Sequence, residues 1–448
     1  MLQGLKLKQK HFKFGLELEL FTLNKRGYMI QGGERLISSV HAQYPKIDIK
    51  KECGMNMIEI GCKPNVYIPN VMKQVTEELA NISNCAEQEG ILLYPFGTYP
   101  GKYATQIYDD VRYQTQEALF GKERFSIAAR CVGLHCHYTV PWGVLDSQEK
   151  GIKPMFRSKN KQSLLNIYNL FIAMDPALST FTQSSPFYEG KRRGKSSRII
   201  MYRGGDIFHC SEGLYANYQS FGALPRYMMT GTDLGHLIKQ QFETWIKLLR
   251  KLEIHIESLL KRGSILDTAW NPVRINSIGT LEQRGMDANF PSIIVAVALI
   301  IKFISKKVQE EFIQVVPSDI GVKNPFRFEN NIIYIPPDSW VRKNLQSASA
   351  FKGLEDENIF HYCKSLLNLG KVLIPENRRY FLEPLNKMIQ NRKTVSDRII
   401  EKAKEMGVDV NLGISNEKAS ELSLFFVEEF RKDIQETKIQ LEKFQEEL

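Results

Sequence analysis

Three pairs of polar side chains in this sequence stand two positions apart within runs that are otherwise apolar. On a β-strand, residues i and i+2 point from the same face and lie about 7 Å apart, so each pair would project together. The pairs are Glu17 and Glu19, His135 and His137, and Glu282 and Arg284. A fourth run, NMIEIGC at 56–62, carries Glu59, and Glu52 precedes it by seven positions across Gly54. The four runs together predict one polar sheet face.

Carboxylates gathered on one face would repel one another and raise one another's pKa unless a cation neutralised them. Magnesium does so through oxygen ligands and usually brings substrate phosphates into the same site. Each motif alone is also typical of the solvent-facing side of a sheet, so the prediction depends on all four occurring in one chain. Zinc is the alternative for the histidines, with Cys131 as a third ligand. Cys136 alternates to the opposite face, however, and no second cluster with zinc-ligand spacing follows.

A basic stretch, DPALSTFTQSSPFYEGKRRGKSSRIIMYRGG at 175–205, could supply cations to the same site. It predicts the end of a helix, a Ser-Ser-Pro turn, a basic loop and then a strand that carries Arg198 and Arg203. The forked donors of arginine suit phosphates and carboxylates. The loop itself is interpreted as a solvated turn, whereas Arg198, directly after small residues, is predicted to bind an anion.

The elements between these runs have helical periodicity. Apolar residues recur every three or four positions at 67–89, 162–181 and 233–262. Strands interleaved with helices, with polar alternation instead of solid apolar runs, favour an α+β fold. Its antiparallel sheet would have one functional face.

Composition narrows the class of protein. With 448 residues, 43% of them hydrophobic and 25% charged, the chain is an ordinary globular protein. Its net charge of +10 is spread along the chain, so nucleic acid is not predicted as a partner. Seven cysteines without a CxxC pair indicate free thiols in a reducing compartment.

No segment predicts secretion or membrane insertion. The first residues, MLQGLKLKQKHFKFG, lack the apolar core of a signal peptide. The most apolar run, at 293–301, is interrupted by Lys302 and is too short to span a bilayer, so it predicts a buried helix. We therefore expect a cytoplasmic protein with no membrane partner.

The chain becomes mostly helical after about residue 290. We predict a catalytic domain at 1–300 and a helical extension at 301–448, which ends in an amphipathic helix at about 415–448. Its apolar positions alternate in steps of three and four: Val427, Phe430, Ile434, Thr437, Leu441, Phe444 and Leu448. The helix would pack on its own domain, or alternatively form a homodimer as a coiled coil.

Five motifs follow one another along the chain: ELEL, E-x6-E ending in MIEIG, GLHCH, SSPFYEG–SSR and GTLEQRGMD. In this order they resemble the motifs of the glutamate–cysteine ligase family. The resemblance is to the branch with bacterial carboxylate–amine ligases, whose fold is related to glutamine synthetase. It covers about 14–290 and continues weakly through 341–354. It implies a curved antiparallel sheet of the glutamine synthetase catalytic-domain type, flanked by helices.

The resemblance also implies roles for individual residues. Glu17, His135 and Glu282 would hold the Mg²⁺ ion at the transferred γ-phosphate, and the remaining glutamates would hold one or two further ions. These are Glu19, Glu52 and Glu59. The groups that would act on phosphate are Arg198 and Arg284, with Arg203 as a further candidate. The residues near substrate would be His137, Tyr188 and Asp287, where Tyr188 replaces a common tryptophan and Asp287 completes an R-x-x-D pattern.

The implied reaction uses ATP and two or three Mg²⁺ ions, with Mn²⁺ as an alternative. The γ-carboxylate of L-glutamate would take the γ-phosphoryl group, and L-cysteine would then displace phosphate from the acyl phosphate to give γ-glutamylcysteine. Three alternatives stay open. They are a ligase for another acid and amine, an ATP phosphotransferase of the guanidino type, and a non-catalytic nucleotide-binding scaffold.

Overall fold

An open antiparallel sheet forms the centre of the computed structural model, which describes residues 12–145, 152–153, 158–254 and 264–446. The seven strands have the order β2-β3-β1-β5-β9-β8, and β4 pairs with the far end of β1. They are β1 (Phe14–Asn24), β2 (Asp48–Lys51), β3 (Met57–Gly61), β4 (Ile91–Tyr94), β5 (Gly133–Thr139), β8 (Val273–Ile275) and β9 (Thr280–Asp287). The four predicted polar runs therefore lie on neighbouring strands.

Alternation divides this sheet into an apolar face and a polar face. Leu16, Leu18 and Leu20 of β1 are buried on one side, where Cys136 and Tyr138 of β5 also lie. Helices that pack against strands of the sheet include Ile68–Gln88, Lys159–Phe181 and Pro291–Glu310. The hydrophobic core therefore lies on the apolar face of the sheet. The side chains on the opposite face are available to form a functional site.

Helical periodicity located these helices well. The predictions at 67–89 and 162–181 correspond to Ile68–Gln88 and Lys159–Phe181. The predicted helix at 233–262 is observed as Gly231–Lys251, and 255–262 lies outside the described residues. The apolar run at 293–301 lies in the buried helix Pro291–Glu310. Within the described part of the chain, no helix has the length and apolar character needed to cross a bilayer.

The predicted strand carrying Arg198 and Arg203 is wrong, because Ser197–Arg203 is a helix. A short apolar run such as RIIM does not distinguish strand from helix by periodicity. The helix ends at Gly204, whose positive φ of 55° is unfavourable for other residues. Before it, β6 (Phe187–Tyr188) and β7 (Lys191–Arg192) form a small hairpin.

The remaining α-helices of seven or more residues among the described residues are Gly33–Gln43, Val111–Phe120, Gln346–Lys352, Glu357–Leu373, Glu383–Asn391, Val395–Glu405 and Asn416–Glu446. A π-helix, Trp340–Leu345, precedes Gln346–Lys352. A second, three-stranded sheet contains β10 (Gln314–Pro317), β11 (Arg327–Glu329) and β12 (Ile332–Ile335). The division of domains at residue 300 stays a prediction.

The last helix, Asn416–Glu446, packs on the chain's own helices Ile68–Gln88 and Pro291–Glu310. The described members of its predicted apolar stripe are buried: Val427, Phe430, Ile434, Thr437 and Leu441. Phe444 and Leu448 lie outside the described side chains. Asp433 also accepts hydrogen bonds from the Ser292 backbone N–H at 2.8 Å and hydroxyl at 2.6 Å. The stripe therefore faces the interior of this chain.

Candidate active site

Strand register places the predicted polar residues side by side on one face of the sheet. Glu17 of β1 is directly opposite His135 of β5, and Glu19 of β1 is opposite Glu59 of β3. Further along, β5 and β9 are paired so that His137 faces Glu282, which in turn faces Arg274 of β8. Alternation within each strand and register between strands thus combine to build the site.

Both histidines contact carboxylates. His135 Nδ1 lies 3.4 Å from Glu17 Oε2 and 3.9 Å from Glu282 Oε1, and its Nε2 lies 3.6 Å from Glu19 Oε1. His137 Nε2 lies 3.3 Å from Glu17 Oε2. Burial, together with the charge of Arg284, lowers the pKa of His135 to about 4. A neutral imidazole at physiological pH is the form that can bind a metal ion.

Glu282 is held as an anion by two arginines. Arg274 Nε donates to Glu282 Oε2 at 2.7 Å, and Arg284 Nη1 donates to Oε1 at 3.2 Å. Burial raises the pKa of Glu282, but these guanidinium groups outweigh burial and hold it below its usual range. In the same way, burial raises the pKa of Glu17, and the adjacent imidazoles outweigh it. Both carboxylates are therefore ionised at neutral pH.

Glu19, Glu52 and Glu59 form a second cluster, in which each offers an oxygen within 4.8 Å of the others. Burial raises the pKa of all three, and their mutual repulsion adds to this for Glu19 and Glu59, so the pKa of Glu19 is about 8. Only the Gly133 backbone N–H, at 2.6 Å, donates to Glu19 among the hydrogen bonds of the described residues. Three carboxylates this close together, one buried and two half-buried, fit an oxygen-coordinated divalent cation.

The donor atoms as a whole fit metal binding. Two groups join a histidine to carboxylates, Glu17–Glu59–His135 and Glu17–His137–Glu282, and the third is the all-carboxylate cluster. The Nε2 atoms of both histidines are buried without a hydrogen-bond partner. Buried polar atoms normally have partners, so these two nitrogens are where a ligand is expected.

A cavity of about 1040 Å³ lies over this face and is large enough for a nucleotide. Beside the glutamates and histidines, it is lined by charged and polar groups that the sequence motifs did not indicate. Among these are Lys50, Lys51, Arg112, Arg274 and Asn276. Apolar and aromatic side chains also line the cavity: Phe242, Trp245, Ile246, Leu249, Trp270 and Ile278. The cavity therefore combines a charged set of groups with an apolar, aromatic set.

Four other predicted residues lie beneath or beside the cavity and do not line it. Arg198 is buried, with its Nη1 4.0 Å from Asp287 Oδ1 and its Nη2 3.4 Å from the Arg284 carbonyl oxygen. Asp287 Oδ2 accepts hydrogen bonds from the Ser184 backbone N–H at 3.1 Å and the Ser185 hydroxyl at 2.5 Å.

The other two are also held away from the cavity. Arg203 donates to both oxygens of Asp175, at 2.7 and 2.9 Å, and to Gln346. Tyr188 is buried in the β6–β7 hairpin. In this conformation, Arg284 is the predicted phosphate-binding arginine that reaches the cavity.

Comparison with known proteins agrees with this geometry. The family model described as Glutamate-cysteine ligase family 2 (GCS2) matches residues 13–324. A glutamate–cysteine ligase from Francisella tularensis, solved in complex with AMP, has a TM-score of 0.59 at 12% identity, over 96% of this chain and 92% of that chain.

A bifunctional glutathione synthetase from Pasteurella multocida has a TM-score of 0.53 at 12% identity, over 93% of this chain and 52% of that chain. This chain thus spans about half the length of that protein. No curated protein matches the sequence. At these identities the two structures establish the fold alone, and they confirm the predicted α+β class with its open antiparallel sheet.

Proposed function

The chain belongs to the glutamate–cysteine ligase family, and from this we propose that it is an ATP-dependent ligase that joins a carboxylate to an amine. The observation that carries the proposal is the set of charged groups that line the cavity. The six predicted metal ligands and His137 meet there, and Arg274 and Arg284 lie beside them. Phosphoryl transfer requires positioning and charge neutralisation of this kind more than it requires a covalent nucleophile.

ATP would bind in the cavity, with contacts to both its apolar and its charged groups. The aromatic and aliphatic side chains, with Trp245 and Trp270 among them, offer surfaces for the adenine ring, and the phosphates would point to the glutamates. Mg²⁺ bound by Glu17, Glu19, Glu52, Glu59, His135 and Glu282 would clamp the phosphates and neutralise their charge. Arg284 would stabilise charge on the transferred phosphoryl group, and Arg198 would act from behind the same strand.

The reaction would take two steps. An oxygen of the acid attacks the γ-phosphorus of ATP, the bond to the β,γ-bridging oxygen breaks, and ADP leaves. The nitrogen of the amine then attacks the acyl carbon of the acyl phosphate, phosphate leaves, and the amine nitrogen loses a proton to give the amide. We propose L-glutamate and L-cysteine as the substrates, with His137 beside them in the cavity. Tyr188 and Asp287 do not line the cavity, so they would act only by supporting the residues that do.

The position of Arg112 supports the proposal that the acid substrate carries a second anionic group. Its side chain lines the cavity and has no carboxylate within 4.0 Å among the described residues. It lies near Glu52, whose pKa it lowers against the effect of burial. An unpaired guanidinium on a cavity wall is suited to bind a carboxylate.

Seven free thiols support a reducing, cytoplasmic location for the enzyme.

The test is phosphate release from ATP and Mg²⁺ with a matrix of amino acids and amines. We expect full turnover only when an acid and an amine are both present, with glutamate and cysteine as the best pair. Glu282→Gln should lower turnover by about two orders of magnitude or more, because it removes a charged ligand at the phosphate. A phosphorylated product without free phosphate would identify a phosphotransferase instead. Absence of turnover with every pair would favour a binding scaffold.

A further inference from the structure

The ring of His137 is fixed through one nitrogen. Its Nδ1 lies 3.0 Å from Thr280 Oγ1. The Thr280 hydroxyl donates its hydrogen to Asn276 Oδ1 at 2.9 Å, and the Thr280 backbone N–H donates to the same oxygen. A hydroxyl has one hydrogen, so Oγ1 is left as the acceptor for Nδ1–H. Asn276 Nδ2, 3.2 Å from Nδ1, is also within reach of Glu282 Oε2 at 3.4 Å. Nδ1 therefore carries a proton in every state of the ring that keeps these hydrogen bonds.

The second nitrogen of His137, Nε2, points between two carboxylates. It is buried, has no hydrogen bond of good geometry and lies 3.3 Å from Glu17 Oε2. A proton or a metal ion must lie between this nitrogen and the ionised carboxylate, because two lone pairs this close would repel each other; in the metal-free protein the proton helps to lower the pKa of Glu17. Glu282, directly opposite on β9, offers an oxygen within 4.8 Å of both partners.

We propose that His137 is itself a metal ligand, and that its Nε2 completes a divalent-cation site with Glu17 and Glu282. This assignment rests on the proposed function only for the presence of a cation in the cavity. It moves His137 from the substrate edge to the metal centre and gives this sheet two metal-binding histidines. Thr280 is then a positioning residue, because ligating histidines usually donate their other N–H to a fixed acceptor.

The donor set has a consequence for metal choice. Oxygen-only sites suit Mg²⁺, whereas an imidazole nitrogen raises affinity for first-row transition metals. A site with one imidazole and two carboxylates should therefore prefer Mn²⁺ to Mg²⁺. The all-carboxylate cluster of Glu19, Glu52 and Glu59 should be less selective.

The test uses Mn²⁺ alone as the probe, with no nucleotide, acid or amine. Binding is measured by the electron paramagnetic resonance signal of free Mn²⁺, and nitrogen ligation by the ¹⁴N modulation of the electron spin echo of bound Mn²⁺. We expect His137→Gln to weaken one Mn²⁺ site about tenfold, to remove part of the ¹⁴N modulation and to bring the Mn²⁺ and Mg²⁺ affinities closer together. His135→Gln should leave the modulation from His137, and His41→Gln, on an exposed helix, should change nothing.

Unchanged Mn²⁺ affinity and unchanged ¹⁴N modulation in His137→Gln would overturn the assignment and leave His137 for substrate or nucleotide. Thermal unfolding of the metal-free variant checks that it folds. If it does not fold, Thr280→Val decides, because it keeps the imidazole but removes its acceptor. We expect that variant to bind Mn²⁺ several-fold more weakly, and unchanged affinity would again contradict the proposal. Because no turnover is measured, failure of the ligase proposal would not affect this result.

Discussion

Arg203 and Asp175 form a buried ion pair on the apolar side of β9. Asp175 belongs to helix Lys159–Phe181, and its Oδ1 also accepts a hydrogen bond from Gln283 of β9 at 3.2 Å. Gln283 alternates with the site residues Glu282 and Arg284, so it points away from the cavity. The pair therefore connects two helices beneath the sheet and does not face the cavity.

Removing one charge of this pair should destabilise the fold. Asp175→Asn leaves the Arg203 guanidinium buried with no anion, which typically costs about 3 kcal/mol or more. Urea unfolding measures the change. Glu212→Gln is the matched control, because Glu212 pairs with Arg193 at 3.3 Å on the surface, and we expect a change within about 1 kcal/mol. An Asp175→Asn protein of wild-type stability with a raised KM for ATP would instead make Arg203 a phosphate ligand.

At the level of elements, the sequence motifs located the polar strands because period-two alternation is local information. They missed Arg274, Asn276 and Arg112. Arg274 and Asn276 are two positions apart, but β8 has only three residues and is too short to show an alternating run, and Arg112 lies in a helix. Arg274 reaches the site only because β8 pairs with β9 in a register that puts it opposite Glu282. Register depends on the assembled sheet, so no local pattern could indicate it.

Gly133, at the start of β5, permits close approach of Arg198. A Cβ at this position would lie 2.2 Å from Arg198 Nη2 and 2.8 Å from its Cζ. The same residue donates its N–H to Glu19. Gly133 thus lies between the second carboxylate cluster and the arginine behind it.

We expect Gly133→Ala to lower turnover at least tenfold, because Arg198 must move and Glu19 shifts with it. The free energy of unfolding should fall by about 1–2 kcal/mol, as for other overpacked sites. Phosphate release and urea unfolding measure the two effects. Gly235→Ala is the control, since no atom lies within 4 Å of its Cβ position in helix Gly231–Lys251. It should gain about 0.5–1 kcal/mol at unchanged turnover. Wild-type turnover in Gly133→Ala would show that the position of Arg198 does not matter.

At the level of the whole molecule, composition and the order of the elements were enough to predict the α+β class. Interleaved strands and helices with one-sided alternation allow few other arrangements. The partner of the last helix was left open because an apolar stripe does not identify the surface it covers. The structure places that stripe on the chain's own core, and a homodimer stays a prediction that light scattering in solution can measure.

Lys302 links the stability of the whole fold to pH. Its Nζ is buried in helix Pro291–Glu310 without a hydrogen-bond partner, 5.6 Å from the centre of the Tyr138 ring. Burial, with a smaller contribution from the charge of Lys306, lowers its pKa from 10.5 to about 7. Between these values the unfolded chain binds one more proton than the native protein, so stability rises with pH across this range.

We therefore expect Lys302→Met to be more stable than the wild type by about 3 kcal/mol near pH 7, because methionine is buried without a charge. The difference should shrink as the pH rises to about 11.5, beyond the ordinary lysine pKa of 10.5, where the native and unfolded lysines are both nearly neutral. Urea unfolding at the two pH values measures it. Lys307→Met, at a half-exposed position on the same helix that pairs with Glu311, should differ little from the wild type at either pH. An equal gain at both pH values would contradict the role of Lys302 protonation.

The strands that carry the site are far apart along the chain. Glu17 and His135 are separated by 118 positions, and His137 and Thr280 by 143. Contacts between such distant segments form late in folding, because the entropy of closing long loops must be overcome first. During synthesis, the group of Glu17, His137 and Glu282 cannot form until β9 has emerged and joined the sheet. The cavity is incomplete until then. Binding at the group that contains Glu282 is therefore a property of the completed sheet, whereas the Glu19–Glu52–Glu59 cluster lies within one short stretch of the chain. Mn²⁺ binding during refolding should accordingly appear in two stages, and the later stage would report when β9 has joined the sheet.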